Sequence, residues 1–340
     1  MKTENLTKKR ILTGDNTTGR LHIGHYVGSL ENRVRLQDEY ETIIVLADLH
    51  ALAYPKYVAS PDIVSDSIFQ VAVDNLAVGI DPDKSYIFPD SAVPEISEIA
   101  LIFSMLISHN RALRNPTLKE EIRDKNLGDN FSVGFINFPI LMAADILSVN
   151  ADLVPVGEDQ APHLELAREI VQKFNNTYGG VFKEPEGLIG RVPRLVGTGG
   201  KAKMTKSLDN VIYLSDDSVT LKKQVMSMFT DPKRIHADDP GSVEGNTVFL
   251  YHDIFNSNKE EVAELKARYK KGTVGDVEVK EKLFVVLDNI LSPIREKRKY
   301  YENHRDEVFD ILKTGTLKVS EEAKKTLENM REKMKLPRFS

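Results

Sequence analysis

Hydrophobic positions in the first half of the chain fall into short runs that end in polar residues or glycine. The segment Glu41 to Ala51 (ETIIVLADLHA) is rich in Ile, Val and Leu and then turns polar. Such a run is typical of a buried parallel strand whose carboxyl end reaches a functional surface. Runs of the same kind predict three further strands, the last two leading into loops: Arg10 to Gly14, Ser85 to Ser91 and Asp152 to Gln160.

Segments with a helical spacing of apolar residues separate these predicted strands. They cover Gly24 to Tyr40, Pro61 to Val78, Pro94 to Ser108, Ile136 to Val149 and Gln160 to Asn175. Strands that alternate with helices predict an α/β fold with a Rossmann-like, doubly wound parallel sheet. In such sheets ligands bind beyond the carboxyl ends of the strands.

After about Asp209 the pattern becomes mostly helical and densely charged. Helices are predicted at Ser218 to Met228, Lys259 to Lys271, Val277 to Asn289, Pro293 to Thr314 and Ser320 to Met334. We therefore expect two domains, with the sheet in residues 1–208 and a mainly α-helical domain in residues 209–340.

The composition is that of an ordinary globular enzyme, with 41% hydrophobic and 29% charged residues and a net charge of -5. The chain contains no cysteine, which excludes disulfides, thiolate zinc sites and a cysteine nucleophile. No apolar stretch has the length of a membrane span or forms a secretion signal, so we expect a cytoplasmic protein.

The first candidate motif is TGDNTTGRLHIGHYVGS, from Thr13 to Ser29. Its glycines flank a predicted strand-to-helix junction, where backbone N–H groups can approach phosphate. His22 and His25 lie three residues apart, so on a helix both can reach one phosphate oxygen. A glycine-rich turn with two structural histidines is the alternative interpretation. A P-loop is disfavoured because no Gly-Lys-Ser/Thr follows Gly19.

The second candidate motif is GTGGKAKMTKSLD, from Gly197 to Asp209. A glycine-rich lead, expected to be flexible, precedes Lys201, Lys203 and Lys206 and two hydroxyl residues, Thr205 and Ser207. Mobile lysines that close over a polyphosphate can stabilise the charge that develops in phosphoryl chemistry. Taken alone, such a loop is more often a solvated basic surface. Its pairing with the first motif favours the phosphate interpretation.

The two motifs resemble the HIGH and KMSKS signatures of class I aminoacyl-tRNA synthetases, with Thr205 in place of the first Ser. The stretch from Asn137 to Arg168 (NFPILMAADILSVNADLVPVGEDQAPHLELAR) resembles tryptophanyl-tRNA synthetases, whose pattern is MAADIL followed by VPVGEDQ. The resemblance extends to LAVGIDP at Leu76 to Pro82 and PIREKR at Pro293 to Arg298.

By this resemblance, Asp145 accepts the indole N–H of bound tryptophan. The helical pattern puts Met142 on the same face, giving an apolar side chain beside one acceptor, as a flat apolar ligand with one N–H requires. A buried acceptor also rejects phenylalanine, which would leave it unpaired. Without the resemblance, a surface carboxylate would be the simpler interpretation of Asp145. The resemblance also places His50, Phe138, Val156 and Gln160 in the pocket. Core packing would explain Phe138 and Val156 equally well.

The resemblance also implies an ATP site, with His25, Lys203 and Lys206 as catalytic residues at the phosphates. The Gln-Pro-Ser segment common in the family is Asn16-Thr17-Thr18 here, which keeps an amide and loses the proline. The acidic residues before Gln160 could alternatively cap the helix that follows. The implied ATP-binding residues are Asn16, Thr17, Thr18, His22, Gly24, His25, Gly157, Glu158, Asp159, Val192, Lys203, Met204, Thr205, Lys206 and Ser207.

The implied activity is that of a tryptophan–tRNA ligase, which forms tryptophanyl-adenylate from L-tryptophan and ATP and then charges tRNA(Trp). Mg²⁺ would accompany the pyrophosphate, with no protein-held metal, and the enzyme would be a homodimer. The helical domain would bind tRNA, and its last helices could pack back on the catalytic domain. Basic patches at Lys266 to Lys271 and Arg295 to Lys299 suit RNA, although solvated helix faces explain each equally well.

Three alternatives remain at this point. Tyrosine could be the substrate, because the two families are close relatives, although a tyrosine pocket commonly adds a Tyr partner for the phenol. A non-catalytic paralogue could bind tryptophan or RNA as a sensor, but it would not need the His and Lys sets. Other HIGH-containing nucleotidyltransferases lack the combination of GEDQ with KMTKS.

Overall fold

The structure is a computed structural model, and it describes residues 8–124, 127–128, 131–156, 161–189, 195–200, 204, 210–231, 234, 236 and 238–337; the side chains of 124, 156 and 189 lie outside the description. Five parallel strands form one sheet in the order β3-β2-β1-β4-β5. Their bounds are β1 Arg10–Asn16, β2 Glu41–Ala47, β3 Ser85–Pro89, β4 Leu153–Val156 and β5 Glu186–Ile189. The strand order reverses between β1 and β4, which confirms the predicted doubly wound α/β sheet.

Ten helices are described up to Tyr178: α1 Ile23–His25, α2 Glu31–Leu36, α3 Asp48–Ala51, α4 Pro55–Val58, α5 Pro61–Val78, α6 Pro94–Ser104, α7 His109–Leu113, α8 Pro116–Asp124, α9 Val133–Ser148 and α10 Ala161–Tyr178. The later ones are α11 Ser218–Met226, α12 Thr247–Phe255, α13 Lys259–Lys270, α14 Asp276–Asn303 and α15 Arg305–Lys333. A π-helix, Tyr26–Leu30, lies between α1 and α2, and a 3₁₀ turn, Asp90–Ala92, follows β3.

Helices cover both faces of the sheet because alternate residues of each strand point in opposite directions. Leu12, Ile43 and Phe88 pack with buried residues of α6, α9, α10 and α15. Ile11, the neighbour of Leu12, instead packs with Leu36 of α2 and Leu153 of β4. The carboxyl ends of β1, β2 and β3 thereby lie side by side at one edge of the sheet.

Several predicted boundaries in the first half are wrong. The helix expected over Gly24 to Tyr40 is divided into α1, the π-helix and α2, and it ends at Leu36. The strand expected to run to Ala51 stops at Ala47, because the polar sequence DLHA folds into α3. His50 therefore lies on a helical turn just beyond the strand.

The predicted breaks in the later helices are also wrong. α14 passes through Pro293 without ending, because its buried face continues across the proline through Leu287, Leu291 and Ile294. That packing outweighs the one backbone hydrogen bond that proline removes. α15 likewise continues through Gly315 and Val319, both of which are buried.

Contacts divide the chain into two compact units. The first spans Met1–Gly19, Ser29–Val192 and Asn303–Ser340, and α15 packs there on β3 and α6. The second spans Arg20–Gly28 and Pro193–Glu302. The domain boundary expected at residue 208 stays a prediction. Over the described ranges, we find no helix with both the length and the apolar character needed to cross a membrane.

Candidate active site

The carboxyl ends of β2 and β3 are joined by two aspartates that exchange hydrogen bonds. Asp90, directly after β3, accepts from the backbone N–H groups of Asp48 and Leu49 at the start of α3, both at 3.0 Å. Asp48 accepts in turn from the backbone N–H of Ser91 at 3.1 Å. Both carboxyl groups are buried. This exchange fixes the short helix that carries His50.

His50 links this end of the sheet to α9. Its Nε2 lies 2.8 Å from Oδ2 of Asp145 and 3.7 Å from Oδ2 of Asp90. Asp145 is 2% exposed, and its other oxygen, Oδ1, has no hydrogen-bond partner among the described residues. Leaving a buried acceptor unpaired is costly, so Oδ1 is suited to accept a hydrogen bond from a bound ligand.

Burial dominates the electrostatics of these carboxyl groups. It raises the pKa of Asp90 to about 10, and the nearby carboxyl groups of Asp48 and Asp145 add to the effect. Burial also raises the pKa of Asp145, against the lowering effect of its hydrogen bond with His50. A low-dielectric site of this kind disfavours negative charge, and a hydrogen bond from an N–H group to a carboxyl oxygen stabilises it.

His50, Asp90 and Asp145 are also the one group in the described part of the chain whose metal-ligating atoms all lie within 4.8 Å of one another. A nitrogen and two carboxylate oxygens are donors that zinc accepts. Nε2 of His50 and Oδ2 of Asp145 are already paired through their 2.8 Å hydrogen bond. We therefore describe the group as a hydrogen-bonded cluster, and the absence of a protein-held metal stays a prediction.

Two more of the predicted pocket residues share α9 with Asp145. The ring of Phe138 meets His50 edge-on with 6.4 Å between centroids, and it meets the ring of His163 at 5.4 Å. Met142 is partly buried against the core. The structure thus brings together His50, Phe138 and Asp145. In this arrangement the unpaired Oδ1 of Asp145 lies near aromatic surface.

The two histidines of the first motif start α1 and order each other. His22 is the N-cap, and its Nδ1 accepts from the backbone N–H of Gly24 at 3.1 Å. His25 Nδ1 accepts from the backbone N–H of His22 at 3.2 Å, and the ring centroids lie 3.9 Å apart. Because each Nδ1 is an acceptor, the proton of each neutral ring resides on Nε2, which makes Nε2–H the donor of both side chains.

The first motif is docked on the segment that follows the second motif. The backbone N–H of Ile23 donates to the carbonyl of Ile212 at 2.9 Å, and that of Leu214 donates to the carbonyl of Leu21 at 3.1 Å. Met204 is buried, and its Sδ lies 3.5 Å from the position that a Cβ on Gly24 would take. The same Cβ would lie 2.9 Å from the His22 ring, so glycine is needed there for close packing. The second compact unit therefore contains Arg20–Gly28 of the first motif together with Pro193–Glu302, the segment in which the second motif lies.

The glycine-rich lead of the second motif, Gly197 to Gly200, is hydrogen-bonded and packed closely against neighbouring segments. The N–H of Thr198 donates to the carbonyl of Asn210 at 3.0 Å, and that of Phe229 donates to the carbonyl of Thr198 at 2.9 Å. The Tyr251 hydroxyl donates to the carbonyl of Val196 at 2.7 Å. A Cβ on Gly200 would lie 2.6 Å from the Phe229 ring, and its φ is +77°. Gly200 thus serves close approach and a left-handed backbone, and the flexibility expected of this lead stays a prediction.

The segment Asn16-Thr17-Thr18 follows β1 and lies above a buried charged network. Thr17 is fully buried, with its Oγ1 3.5 Å from the carbonyl of Ala47. Asp15, just before it, forms a bidentate pair with Arg33, whose Nη2 also donates to the carbonyl of Gly14 at 2.7 Å. Asn75 donates to Asp15 at 3.0 Å and accepts from Arg33 at 3.1 Å.

Two of the residues that shape these sites were missed at the level of sequence. Arg33 lies in a segment predicted as an amphipathic helix, where a charge normally faces solvent. Asp90 lies at the end of a strand, a position that indicates function. Its hydrogen-bond partners, Asp48 and Leu49, are far from it in sequence, so the sequence did not reveal the contact. Nine predicted site residues lie outside the described ranges: Gly157, Glu158, Asp159, Gln160, Val192, Lys203, Thr205, Lys206 and Ser207. Lys201 and the side chain of Val156 lie outside them too.

Comparisons with known proteins agree on one protein family. A family model described as tRNA synthetases class I (W and Y) matches residues 4–292. The tryptophan–tRNA ligase of Chlamydia caviae is 47% identical over 334 residues, which cover 97% of each chain. That of Lactococcus lactis is 47% identical and is matched over 98% of this chain and 100% of its own.

Solved structures are similar over nearly the whole chain. The tryptophanyl-tRNA synthetase from Campylobacter jejuni, complexed with ADP and tryptophan, has a TM-score of 0.85 at 33% identity and is matched over 96% of this chain and 100% of that one. The tyrosyl-tRNA synthetase from Archaeoglobus fulgidus, with a TM-score of 0.64 at 20% identity over 85% of this chain and 90% of its own, shares the fold.

Proposed function

The chain belongs to the class I tRNA synthetases for tryptophan and tyrosine, and we propose that it acts as a tryptophan–tRNA ligase through the residues described above. Its reaction has two steps. The carboxylate of L-tryptophan attacks the α-phosphorus of ATP, which forms tryptophanyl-adenylate and releases pyrophosphate. The 2′-hydroxyl of the terminal ribose of tRNA(Trp) then takes the tryptophanyl group and releases AMP.

The observation that carries the choice of tryptophan is the unpaired, buried Oδ1 of Asp145. His50 occupies Oδ2, so one acceptor remains for one donor, and the indole N–H supplies it. Phe138 offers aromatic surface to the ring system, and Met142 and Gln160 complete the proposed pocket. Phenylalanine has no donor and would leave Oδ1 buried and unpaired, which disfavours it as a substrate.

The activation step needs positioning and charge stabilisation rather than a general base, because a carboxylate is already a nucleophile at neutral pH. We assign His22 and His25 to the phosphates, because each presents Nε2–H as its donor. Lys203 and Lys206 would stabilise the charge that develops on the leaving pyrophosphate. Mg²⁺ arrives with ATP as part of that substrate. The remaining proposed ATP contacts are Asn16, Thr17, Thr18, Gly24, Gly157, Glu158, Asp159, Val192, Met204, Thr205 and Ser207.

We also propose that the enzyme is a cytoplasmic homodimer whose helical region binds tRNA(Trp). At least five of the basic residues considered for RNA binding form ion pairs within the protein: Lys266, Arg268, Lys270, Arg295 and Arg298. Lys266 donates to both carboxylate oxygens of Asp253, at 2.5 and 2.7 Å, and Arg295 donates to Asp288 at 2.5 Å. These pairs count against phosphate contacts by the five residues, because exchanging an existing ion pair for a phosphate contact gains little free energy on binding.

Amino-acid-dependent exchange of pyrophosphate into ATP tests the proposed function. Exchange should be supported by tryptophan and should be near background with tyrosine and phenylalanine. Charging of tRNA(Trp) transcripts should follow with the same specificity. Exchange with tyrosine alone would move the chain to the other branch of the family, and tryptophan binding without exchange would indicate a non-catalytic binder.

A further inference from the structure

We propose that Asp90 is a positioning residue of the tryptophan site: through the N–H groups that it holds at the start of α3, it sets the orientation of His50 and so leaves Oδ1 of Asp145 for the indole N–H. This inference rests on the proposed function, in which Asp145 accepts from indole. Asp90 was not among the residues that the family resemblance implied.

The geometry connects Asp90 to Asp145 in two short steps. Oδ1 of Asp90 accepts from the N–H groups of Asp48 and Leu49, which are the two residues before His50. The four-residue helix α3 has no side-chain cap of its own at Ala47, so the carboxyl group of Asp90 supplies the acceptor for its first turn. His50 Nε2 then reaches Oδ2 of Asp145 at 2.8 Å.

The reciprocal bond from Ser91 to Asp48 makes this link rigid. The 3.1 Å hydrogen bond from the Ser91 N–H to Oδ1 of Asp48 ties the end of β3 to the end of β2 a second time. The two strands are neighbours in the sheet, paired from Thr42 and Ser85 to Leu46 and Pro89. A hydrogen bond between His50 and Asp145 therefore depends on the joined strand ends, because α3 is too short to hold its own orientation.

Asp90 acts through His50 rather than on the substrate. Its Oδ1 is occupied by two backbone N–H groups of α3. Its Oδ2 has no hydrogen-bond partner among the described residues and faces His50, with 3.7 Å to Nε2. Burial raises the pKa of Asp90 to about 10, which favours the uncharged acid at neutral pH. Asparagine is a close mimic of that form, with the same acceptor at Oδ1. Alanine removes the acceptor.

A pair of ligands isolates the effect on the indole N–H. Tryptophan is compared with its benzothiophene analogue, in which sulfur replaces the N–H and the shape is nearly kept. Dissociation constants for both are measured on the full-length protein by calorimetry. The wild type should prefer tryptophan by roughly ten-fold or more, as expected for a hydrogen bond to a buried carboxyl group. Asp90→Ala should reduce this preference to about two-fold, and Asp90→Asn should retain most of it.

A matched control is Asp152→Ala. Asp152 also accepts a backbone N–H, that of Arg10 at 2.8 Å, but at the start of β4, at the opposite end of the sheet. Its loss should lower the melting temperature without changing the preference between the two ligands. If Asp90→Ala does not fold, Asp90→Leu fills the same volume without an acceptor and is measured in its place.

Each outcome decides a separate question. A wild type with no preference between the two ligands would remove Asp145 from its proposed role, and the inference with it. A wild-type preference that persists in Asp90→Ala or Asp90→Leu overturns the inference alone. Equally weaker binding of both ligands also overturns the inference, because it would mark Asp90 as a merely structural residue. Loss of the preference in Asp90→Asn overturns it as well. Loss with alanine and retention with asparagine supports it.

Discussion

At the scale of single residues, Asp145 has the most direct consequence for substrate binding. Asp145→Ala removes the acceptor for the indole N–H and the partner of His50. We expect the affinity for tryptophan to fall roughly 10- to 100-fold, since a hydrogen bond to a buried carboxyl group contributes about 1.5–3 kcal/mol. The chain contains no tryptophan, so the indole fluorescence of the bound ligand can be followed without indole emission from the protein. Unchanged affinity would contradict the assignment.

Asp90 makes the stability of the protein depend on pH. Burial raises its pKa from 3.8 to about 10, so the folded protein keeps a proton that the unfolded chain releases. Stability is therefore greatest below the unfolded pKa and falls as the pH rises between about 4 and 10, by at most about 1.4 kcal/mol per pH unit. Asp90→Asn cannot ionise, so its free energy of unfolding should fall less steeply.

Urea unfolding of both proteins at a series of pH values measures the two slopes. Each curve contains other titrating groups, and the effects of the distant ones largely cancel in the difference between wild type and variant. Asp145 interacts with Asp90 directly, so its titration contributes to that difference. Parallel curves between pH 5 and pH 9 would show that Asp90 is ionised in the folded protein.

At the scale of secondary-structure elements, a buried ion pair joins α2 to β1. Arg33→Met leaves Asp15 buried without its bidentate partner, and we expect a loss of about 3–5 kcal/mol in unfolding free energy. The double variant Asp15→Leu/Arg33→Met removes both charges and should regain most of that loss. If the double variant is no more stable than Arg33→Met, the cost comes from lost packing rather than from an unpaired charge.

The double variant also tests whether the ion pair orders the segment Asn16-Thr17-Thr18. If the double variant regains stability but has a higher KM for ATP and an unchanged KM for tryptophan, then the ion pair orders this segment. Full recovery of both constants would limit the pair to a role in stability.

Packing of α15 on β3 depends on Gly315. A Cβ there would lie 2.1 Å from the carbonyl oxygen of Ile87, so the helix must move away from the strand. We expect Gly315→Ala to lower the unfolding free energy by about 1–3 kcal/mol, as in other overpacked cores. Gly134→Ala is the control: its Cβ would meet Ser132 Oγ at an ordinary 3.5 Å. A stability loss no larger than that of the control would show that α15 shifts without cost.

These elements show where sequence patterns suffice and where they do not. The run TIIVLA predicted β2 because a buried parallel strand is apolar on both faces. The stop at Ala47 was missed because it depends on an acceptor from Asp90, a residue of the next strand end. The roles of His22, His25 and Asp145 were predicted from the family resemblance of the motifs and stay predictions. The pairing of Arg33 with Asp15 is a tertiary contact that helical periodicity does not report.

At the scale of the whole molecule, the sheet-containing unit is built from both ends of the chain. Val319, Ala323, Leu327 and Met330 of α15 belong to the same buried cluster as Phe88 of β3. A fragment that ends at residue 208, the predicted domain boundary, would lack this helix. Its exposed apolar surface would favour aggregation or a partly folded state.

Fragment complementation tests this arrangement. We expect residues 1–208 alone to bind a hydrophobic dye and to unfold without a cooperative transition. Addition of a separate peptide of residues 303–340 should reduce dye binding and restore cooperativity, because α15 regains its contacts with β3 and α6. The same peptide carrying Gly315→Ala should complement less well, which excludes a non-specific effect of a charged helix. Cooperative folding of 1–208 without the peptide would instead place a complete folding domain before residue 209, and α15 would then be an addition to it.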